Sequence, residues 1–138
     1  MSRILCIDYG KKRTGIAVTD PLKIIAGALT TVETSSLINF LKKYFAEEDV
    51  ELVLIGEPKN LDDSDTHATS LVHQFIQKFK KEFPAMKIEP IDERYTSKLA
   101  TQAMIEMGMK KKDRQKKENI DQVAAAIMLQ EYLNQLQI

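Results

Sequence analysis

The stretch Ile4-Leu5-Cys6-Ile7-Asp8-Tyr9-Gly10 decides the fold, because it joins a short apolar run directly to a carboxylate and a turn. Residues 3–8 are predicted to form a strand, and residues 10–13 a turn in which Gly10 can adopt a positive φ. An acid at the end of a buried strand places a charge where a fold otherwise keeps apolar side chains. Asp8 is therefore a candidate site residue, and a turn carboxylate bonded to local amides is the alternative.

The segments that follow predict a meander and then alternating helices and strands. Residues 14–19 and 24–32 are apolar and β-branched, with Asp20-Pro21 as a turn between them, so the first three strands are expected to be antiparallel. The hydrophobic periodicity of the later segments predicts strands over 50–56 and 86–92. It also predicts four helices: one over 36–47 capped by Thr34-Ser35-Ser36, one from about 64 or 66 to before Pro84, and two more over 96–107 and 118–135. The order βββαβαβαα predicts an α/β fold: a mixed five-stranded sheet, three strands antiparallel and the rest parallel, with helices on both faces.

Length and composition bound the class of protein. The 138 residues fit one domain, 1–138, and the 20 basic and 20 acidic residues cancel, so polyanion binding must come from local clusters. Cys6 is the single cysteine and is expected to be buried, which excludes an internal disulfide and suits a reducing compartment. Because no apolar run is long enough for a secretory signal or a membrane span, we expect a cytoplasmic protein without a membrane partner.

Two later acids resemble Asp8 in their settings. Glu93 follows the apolar run of the fifth predicted strand, and Asp121 interrupts an apolar helix whose small alanines would allow close approach to the sheet. Three carboxylates from distant segments predict a site for Mg²⁺ or Mn²⁺, which prefer oxygen ligands and can promote phosphodiester hydrolysis. Each acid also has an alternative role that needs no metal. Glu93 could form an ion pair with Arg94 or Lys98, and Asp121 could interact favourably with the positive end of its own helix dipole.

Basic residues accompany all three acids and predict contacts with a phosphate backbone. They are Lys11, Lys12, Arg13, Arg94, Lys110, Lys111, Lys112, Arg114, Lys116 and Lys117. Backbone contacts imply weak sequence specificity, and a solvated lysine-rich loop is the alternative for residues 110–117. His67 and His73, six residues apart, do not have the spacing of a paired metal site and are interpreted as structural or surface residues.

Four blocks of the sequence resemble the YqgF/RuvX family of the RNase H-like superfamily, whose members are described as Holliday junction resolvases and pre-16S rRNA nucleases. The blocks span residues 7–18, 55–63, 92–97 and 121–126, in the family's order. The resemblance implies an RNase H-like sheet and a divalent-metal nuclease site with Asp8, Glu93 and Asp121 as catalytic ligands. It also places Asn60 in a loop near the substrate.

One position departs from the family pattern. Glu57 stands where the second block usually has leucine, at the end of the fourth predicted strand. In related resolvases an acid on strand four is a metal ligand, so Glu57 is a candidate fourth ligand or a replacement for Glu93. Of the two, Glu93 is the preferred ligand.

Several functions remain open on the sequence alone. The leading hypothesis is a metal-dependent nuclease acting on structured nucleic acid, with 5′-end processing of pre-16S rRNA in ribosome biogenesis as its role. A Holliday junction resolvase is the alternative, and the chain is expected to be a monomer or a weak homodimer. An actin-like ATP phosphotransferase, suggested by Asp8-Tyr9-Gly10 and the following Thr-Gly-Ile-Ala, would need two such domains. A non-catalytic nucleic-acid or ribosome-binding factor is the last alternative.

Overall fold

A five-stranded sheet forms the centre of the protein. The computed structural model describes residues 2–57, 67–92 and 117–136. The strands are β1 (Arg3–Asp8), β2 (Arg13–Thr19), β3 (Ala26–Glu33), β4 (Val50–Glu57) and β5 (Ile88–Asp92). The helices are α1 (Leu37–Glu47), α2 (His67–Glu82) and α3 (Lys117–Leu136), and a 3₁₀ turn spans Thr34–Ser36.

The sheet is mixed, and its strand order is β3-β2-β1-β4-β5. Strands β1, β2 and β3 pair antiparallel, whereas β4 pairs parallel to β1 and β5 parallel to β4. The predicted meander and the parallel strands that follow it are therefore confirmed, with β1 at the centre. The helix predicted over 96–107 lies outside the described residues.

Helices cover both faces of the sheet, as predicted. Side chains alternate along a strand, so Leu5 and Ile7 of β1 join one core with α1 and α2, while Ile4 and Cys6 join a second core with α3. By the same alternation, Asp8 belongs to the side of the sheet that α3 covers. The predicted burial of Cys6 is confirmed, since its side chain is fully buried.

Three local predictions differ from the structure. Strand β3 begins at Ala26 rather than at residue 24, because the Asp20 carboxylate accepts hydrogen bonds from the backbone N–H groups of Ile24 and Ile25 and holds them in a loop. Ser36 precedes α1 without a side-chain cap, and residues 34–36 form a 3₁₀ turn. Strand β5 begins at Ile88, since Met86 N–H donates to the Phe83 carbonyl and closes a turn.

Candidate functional site

Asp8 and Asp121 line the same cavity, although 112 intervening residues separate them in the sequence. The cavity has a volume of about 550 Å³ and is bordered by Asp8, Tyr9, Gly10, Lys11, Lys12, Arg13 and Asp121. Asp8 ends the central strand, and Asp121 is the fifth residue of α3 on the same side of the sheet. The structure thus brings two of the three predicted acids together with the first predicted basic cluster.

Gly15 allows α3 to approach this closely. In the antiparallel register Gly15 lies opposite Asp8, and a Cβ added to Gly15 would be 2.2 Å from the carbonyl carbon and oxygen of Asp121. Any larger side chain would therefore push the first turns of α3 away from β2. Sequence reasoning missed this residue, although a glycine within a strand often marks close approach of another backbone.

Arg13 places a positive charge beside Asp121. Its Nε lies 4.0 Å from Asp121 Oδ2, which is an ion-pair distance rather than a hydrogen bond. Only 15% of the Asp121 side chain is exposed, so water screens this attraction less than it would at an open surface. Arg13 was predicted to contact substrate, and here it also balances the charge of a candidate ligand.

The turn between β1 and β2 is anchored by Thr34. The Thr34 hydroxyl donates to the Gly10 carbonyl at 2.6 Å, and the Thr34 backbone N–H donates to the Lys12 carbonyl at 2.9 Å. Because that hydroxyl proton is already donated, the Thr14 hydroxyl at 2.9 Å must donate to Thr34 Oγ1. These three bonds hold the turn from both sides.

Gly10 has a different role from the one predicted. Its φ lies outside the left-handed range, so the prediction of a positive φ was wrong. A Cβ at this position would lie 2.2 Å from the Arg13 carbonyl oxygen. The turn therefore requires glycine because the chain folds back on itself here.

Tyr9 attaches the same turn to the other face of the sheet. Its ring lies 4.9 Å, centroid to centroid, from the ring of Phe75 on α2. Burial raises the pKa of the Tyr9 phenol above its ordinary value, so the group is neutral at physiological pH. Tyr9 is thus an uncharged wall of the cavity rather than an additional anion.

Comparison with known proteins identifies the family. A profile of the RuvX family, described as "Holliday junction resolvase", matches residues 2–135. This chain belongs to the RuvX family. A protein of Flavobacterium psychrophilum named "Putative pre-16S rRNA nuclease" is 54% identical over 133 residues, covering 96% of this chain and 97% of the relative. A protein of Phocaeicola vulgatus with the same name is 50% identical over 133 residues, covering 96% of each.

A solved structure shares the fold of this RuvX-family chain. The Fowlpox virus resolvase, in complex with substrate Holliday junction DNA, superposes with a TM-score of 0.57 at 14% identity and covers 99% of both chains. This likeness and the strand order confirm the predicted RNase H-like fold. The family match confirms the predicted membership of a nuclease family.

Glu57 has a partner away from the Asp8 cavity. Its Oε2 lies 3.0 Å from Nε2 of His73, an exposed residue of α2. Because side chains alternate along β4, Glu57 belongs to the same face of the sheet as Val53 and Ile55, which pack towards α1 and α2. Asp8, by contrast, belongs to the α3 side. The structure therefore associates Glu57 with the opposite face of the sheet, and His73 is a surface residue as predicted.

Many of the predicted site residues lie outside the described residues. These are Glu93, Asn60, Arg94, Lys110, Lys111, Lys112, Arg114 and Lys116, and of Lys117 only the backbone is described. Within residues 2–57, 67–92 and 117–136, no group of three or more His, Cys, Asp or Glu side chains is arranged to hold a metal ion. The same ranges contain no helix that is long and apolar enough to span a membrane.

Proposed function

We propose that this protein is a divalent-metal-dependent nuclease that hydrolyses phosphodiesters of structured nucleic acid, with the 5′ end of pre-16S rRNA as its substrate. One observation carries the proposal. Two carboxylates, Asp8 and Asp121, line one cavity together with Lys11, Lys12 and Arg13. Acids and cations around the same cavity suit a metal ion together with an anionic substrate.

The donor set fits Mg²⁺ or Mn²⁺. Carboxylate oxygens are the ligands that these ions prefer, and Asp8 and Asp121 supply them from two elements that Gly15 allows to lie in contact. Glu93 is proposed as the third ligand, because it follows β5 directly in the sequence and Ile91, two positions earlier, packs on the α3 side. When bound, such ions neutralise charge on the phosphate and lower the pKa of a coordinated water.

The remaining residues of the cavity bind and orient the substrate. Lys11 and Lys12 are exposed on a turn that Thr34 fixes, so their ammonium groups can contact phosphate oxygens beside the acids. Arg13 holds the Asp121 carboxylate by charge attraction and can also contact phosphate. Because none of these groups needs to contact bases, cleavage is expected to depend on the shape of the substrate more than on its sequence.

The choice of pre-16S rRNA rests on the relatives. Proteins about half identical to this chain over nearly its full length carry the name of a pre-16S rRNA nuclease. The role assigned to this chain is therefore maturation of the small ribosomal subunit, and the reaction adds water across one phosphodiester bond.

A cleavage assay tests this proposal directly. The protein is incubated with a transcript carrying the 5′ leader of pre-16S rRNA, with and without Mg²⁺ or Mn²⁺. Asp8→Asn and Asp121→Asn should each reduce the cleavage rate by on the order of 10²-fold or more, since each removes a charged ligand. Asp49→Asn, which changes an exposed acid between α1 and β4, serves as the control. Full metal-dependent cleavage by Asp8→Asn would contradict the proposal.

A Holliday junction resolvase is the second candidate, because the matching family profile carries that description. A four-way DNA junction should be assayed beside the rRNA transcript with the same variants. Since symmetric cleavage of two strands requires two active sites, sedimentation analysis of the oligomeric state adds a second criterion. Binding of either nucleic acid without cleavage at any metal concentration would favour a non-catalytic binding factor.

A further inference from the structure

A second cavity lies on the other side of the basic turn. It has a volume of about 550 Å³, equal to that of the first, and both cavities are bordered by Lys11, Lys12 and Arg13. The residues that border the second cavity alone are Thr31, Val32, Glu33 and Ser35, from the end of β3 and the 3₁₀ turn. We name this second cavity the flanking groove. The basic turn thus separates the flanking groove from the cavity that contains Asp8 and Asp121.

The chemistry of the flanking groove suits a phosphodiester backbone. In the described part of its border, three cationic side chains face one carboxylate, that of Glu33, so the local balance there is positive in a chain whose formal net charge is zero. Thr31 and Ser35 add hydroxyl groups, which can donate hydrogen bonds to phosphate oxygens. Among the described residues that border the groove, Val32 is the single apolar one, so this lining does not favour an apolar ligand.

The backbone that carries the cations is hydrogen-bonded in place between the two cavities. Thr34, which lies between Glu33 and Ser35, bonds to the carbonyls of Gly10 and Lys12 on either side of Lys11. The backbone that carries Lys11 and Lys12 is therefore ordered before any ligand binds, and little backbone entropy is lost on binding. A strand that crosses this turn would meet the same cations from both cavities.

We propose that the flanking groove binds the backbone of the same nucleic-acid strand that is cut at Asp8 and Asp121, on one side of the scissile phosphate. This inference rests on the proposed nuclease function and adds a requirement to it. The substrate strand must continue past the cleavage site, across the basic turn and into the groove. An end that stops at the cleavage site would lose these contacts.

Charge changes in the groove test the inference through binding, measured without cleavage. The affinity of the full-length protein for a fluorescent single-stranded RNA oligonucleotide is measured by anisotropy without divalent metal, over a range of salt concentrations. Ser35→Glu should weaken binding about two- to fivefold and reduce the salt dependence, and Glu33→Gln should tighten binding by a similar factor. Gln77→Glu on α2 and Glu47→Gln on α1 make matched charge changes at exposed positions outside the groove and should have no comparable effect.

A length series provides a measurement that needs no variant. The oligonucleotide is shortened from each end in turn. Affinity and cleavage should fall in a step at the length at which the strand no longer fills the flanking groove. If Ser35→Glu fails to fold, the wild-type length series and Glu33→Gln decide the question.

The outcomes separate this inference from the proposed function. Wild-type cleavage with affinities unchanged in Ser35→Glu and Glu33→Gln, or changed equally in their controls, would overturn the flanking groove and leave the nuclease intact. A wild-type protein that neither binds nor cuts nucleic acid would overturn the nuclease proposal itself.

Discussion

Gly15 of β2 lies directly beneath the backbone of Asp121 in α3. A Cβ at Gly15 would meet the Asp121 carbonyl carbon and oxygen at 2.2 Å and the Gln122 nitrogen at 2.6 Å. Because Gly15 also pairs with Asp8 across β1 and β2, this one residue determines how closely α3 carries Asp121 to the strand that carries Asp8. The glycine thus acts on the site without contacting any ligand.

Gly15→Ala is therefore expected to reduce both stability and activity. The methyl group meets backbone atoms rather than a movable side chain, so α3 must shift, at a cost of about 1–3 kcal/mol or more of unfolding free energy. Urea unfolding measures this cost, and metal-dependent cleavage should fall beyond what the folded fraction explains.

Gly27→Ala is the matched control for this substitution. A Cβ at Gly27 meets only the Val18 carbonyl oxygen, at 4.0 Å, so the methyl group fits without displacement. Its unfolding free energy should stay the same or rise by a few tenths of a kcal/mol. Equal losses in the two variants would argue against the close approach at Gly15.

Thr34→Val should loosen the basic turn. Valine keeps the shape of threonine but removes the hydroxyl, which leaves the Gly10 carbonyl and the buried Thr14 hydroxyl without this partner. We expect a loss of about 1–3 kcal/mol in unfolding free energy and weaker binding of nucleic acid, measured by urea unfolding and anisotropy. Thr34→Ser retains the hydroxyl and should restore most of the binding, which a purely steric role of Thr34 would not predict.

The order of strands and helices along the chain could be predicted from the sequence because its signals are local. Alternating and continuous apolar runs define β1 to β5, and Asp8 is conspicuous because it ends such a run. The placement of Asp121 on the α3 face that packs on the sheet follows from helical periodicity with Ala125 and Met128. These features depend on neighbours within a few residues, which a sequence pattern displays.

The features that the sequence does not predict depend on contacts between distant segments. Thr34 looks like a helix cap, yet its hydroxyl bonds to Gly10, 24 positions earlier. Gly15 looks like an ordinary strand residue until α3 is placed upon it. The face of the sheet to which Glu57 belongs is shown by its contact with His73, which lies 16 positions later on α2. In each case tertiary packing, rather than local propensity, determines the role.

The ionised carboxylate of Asp20 is expected to stabilise the fold at neutral pH and to lose this effect in acid. The backbone N–H of Ile25, together with those of Ile24 and Leu22, donates to its carboxylate and lowers its pKa below the ordinary value of 3.8. Since the folded pKa lies below the unfolded one, this contribution is complete above pH 3.8 and is lost as the pH falls through the folded pKa. Asp20→Asn should therefore be less stable than wild type at neutral pH.

The stability difference between Asp20→Asn and wild type should shrink as the pH falls below 3.8. Urea unfolding across the acidic range measures it, with Asp49→Asn as a control that changes an exposed acid outside this loop. A difference that is constant with pH would mean that the Asp20 carboxylate charge does not hold the loop.

Metal binding should stabilise the wild-type protein and not Asp8→Asn. A ligand that binds only the folded state adds about 2.7 kcal/mol at a concentration one hundred times its dissociation constant, so Mg²⁺ or Mn²⁺ should raise the wild-type melting temperature. Asp8→Asn and Asp121→Asn should lose most of this increase, because each removes a charged oxygen donor from the cavity. Glu57→Gln should keep it, since Glu57 bonds to His73 on the α2 side of the sheet. Each variant is compared with itself, with and without metal, so that any effect of the substitution on stability alone cancels. An increase in the melting temperature of Asp8→Asn equal to that of the wild type would exclude Asp8 as a ligand.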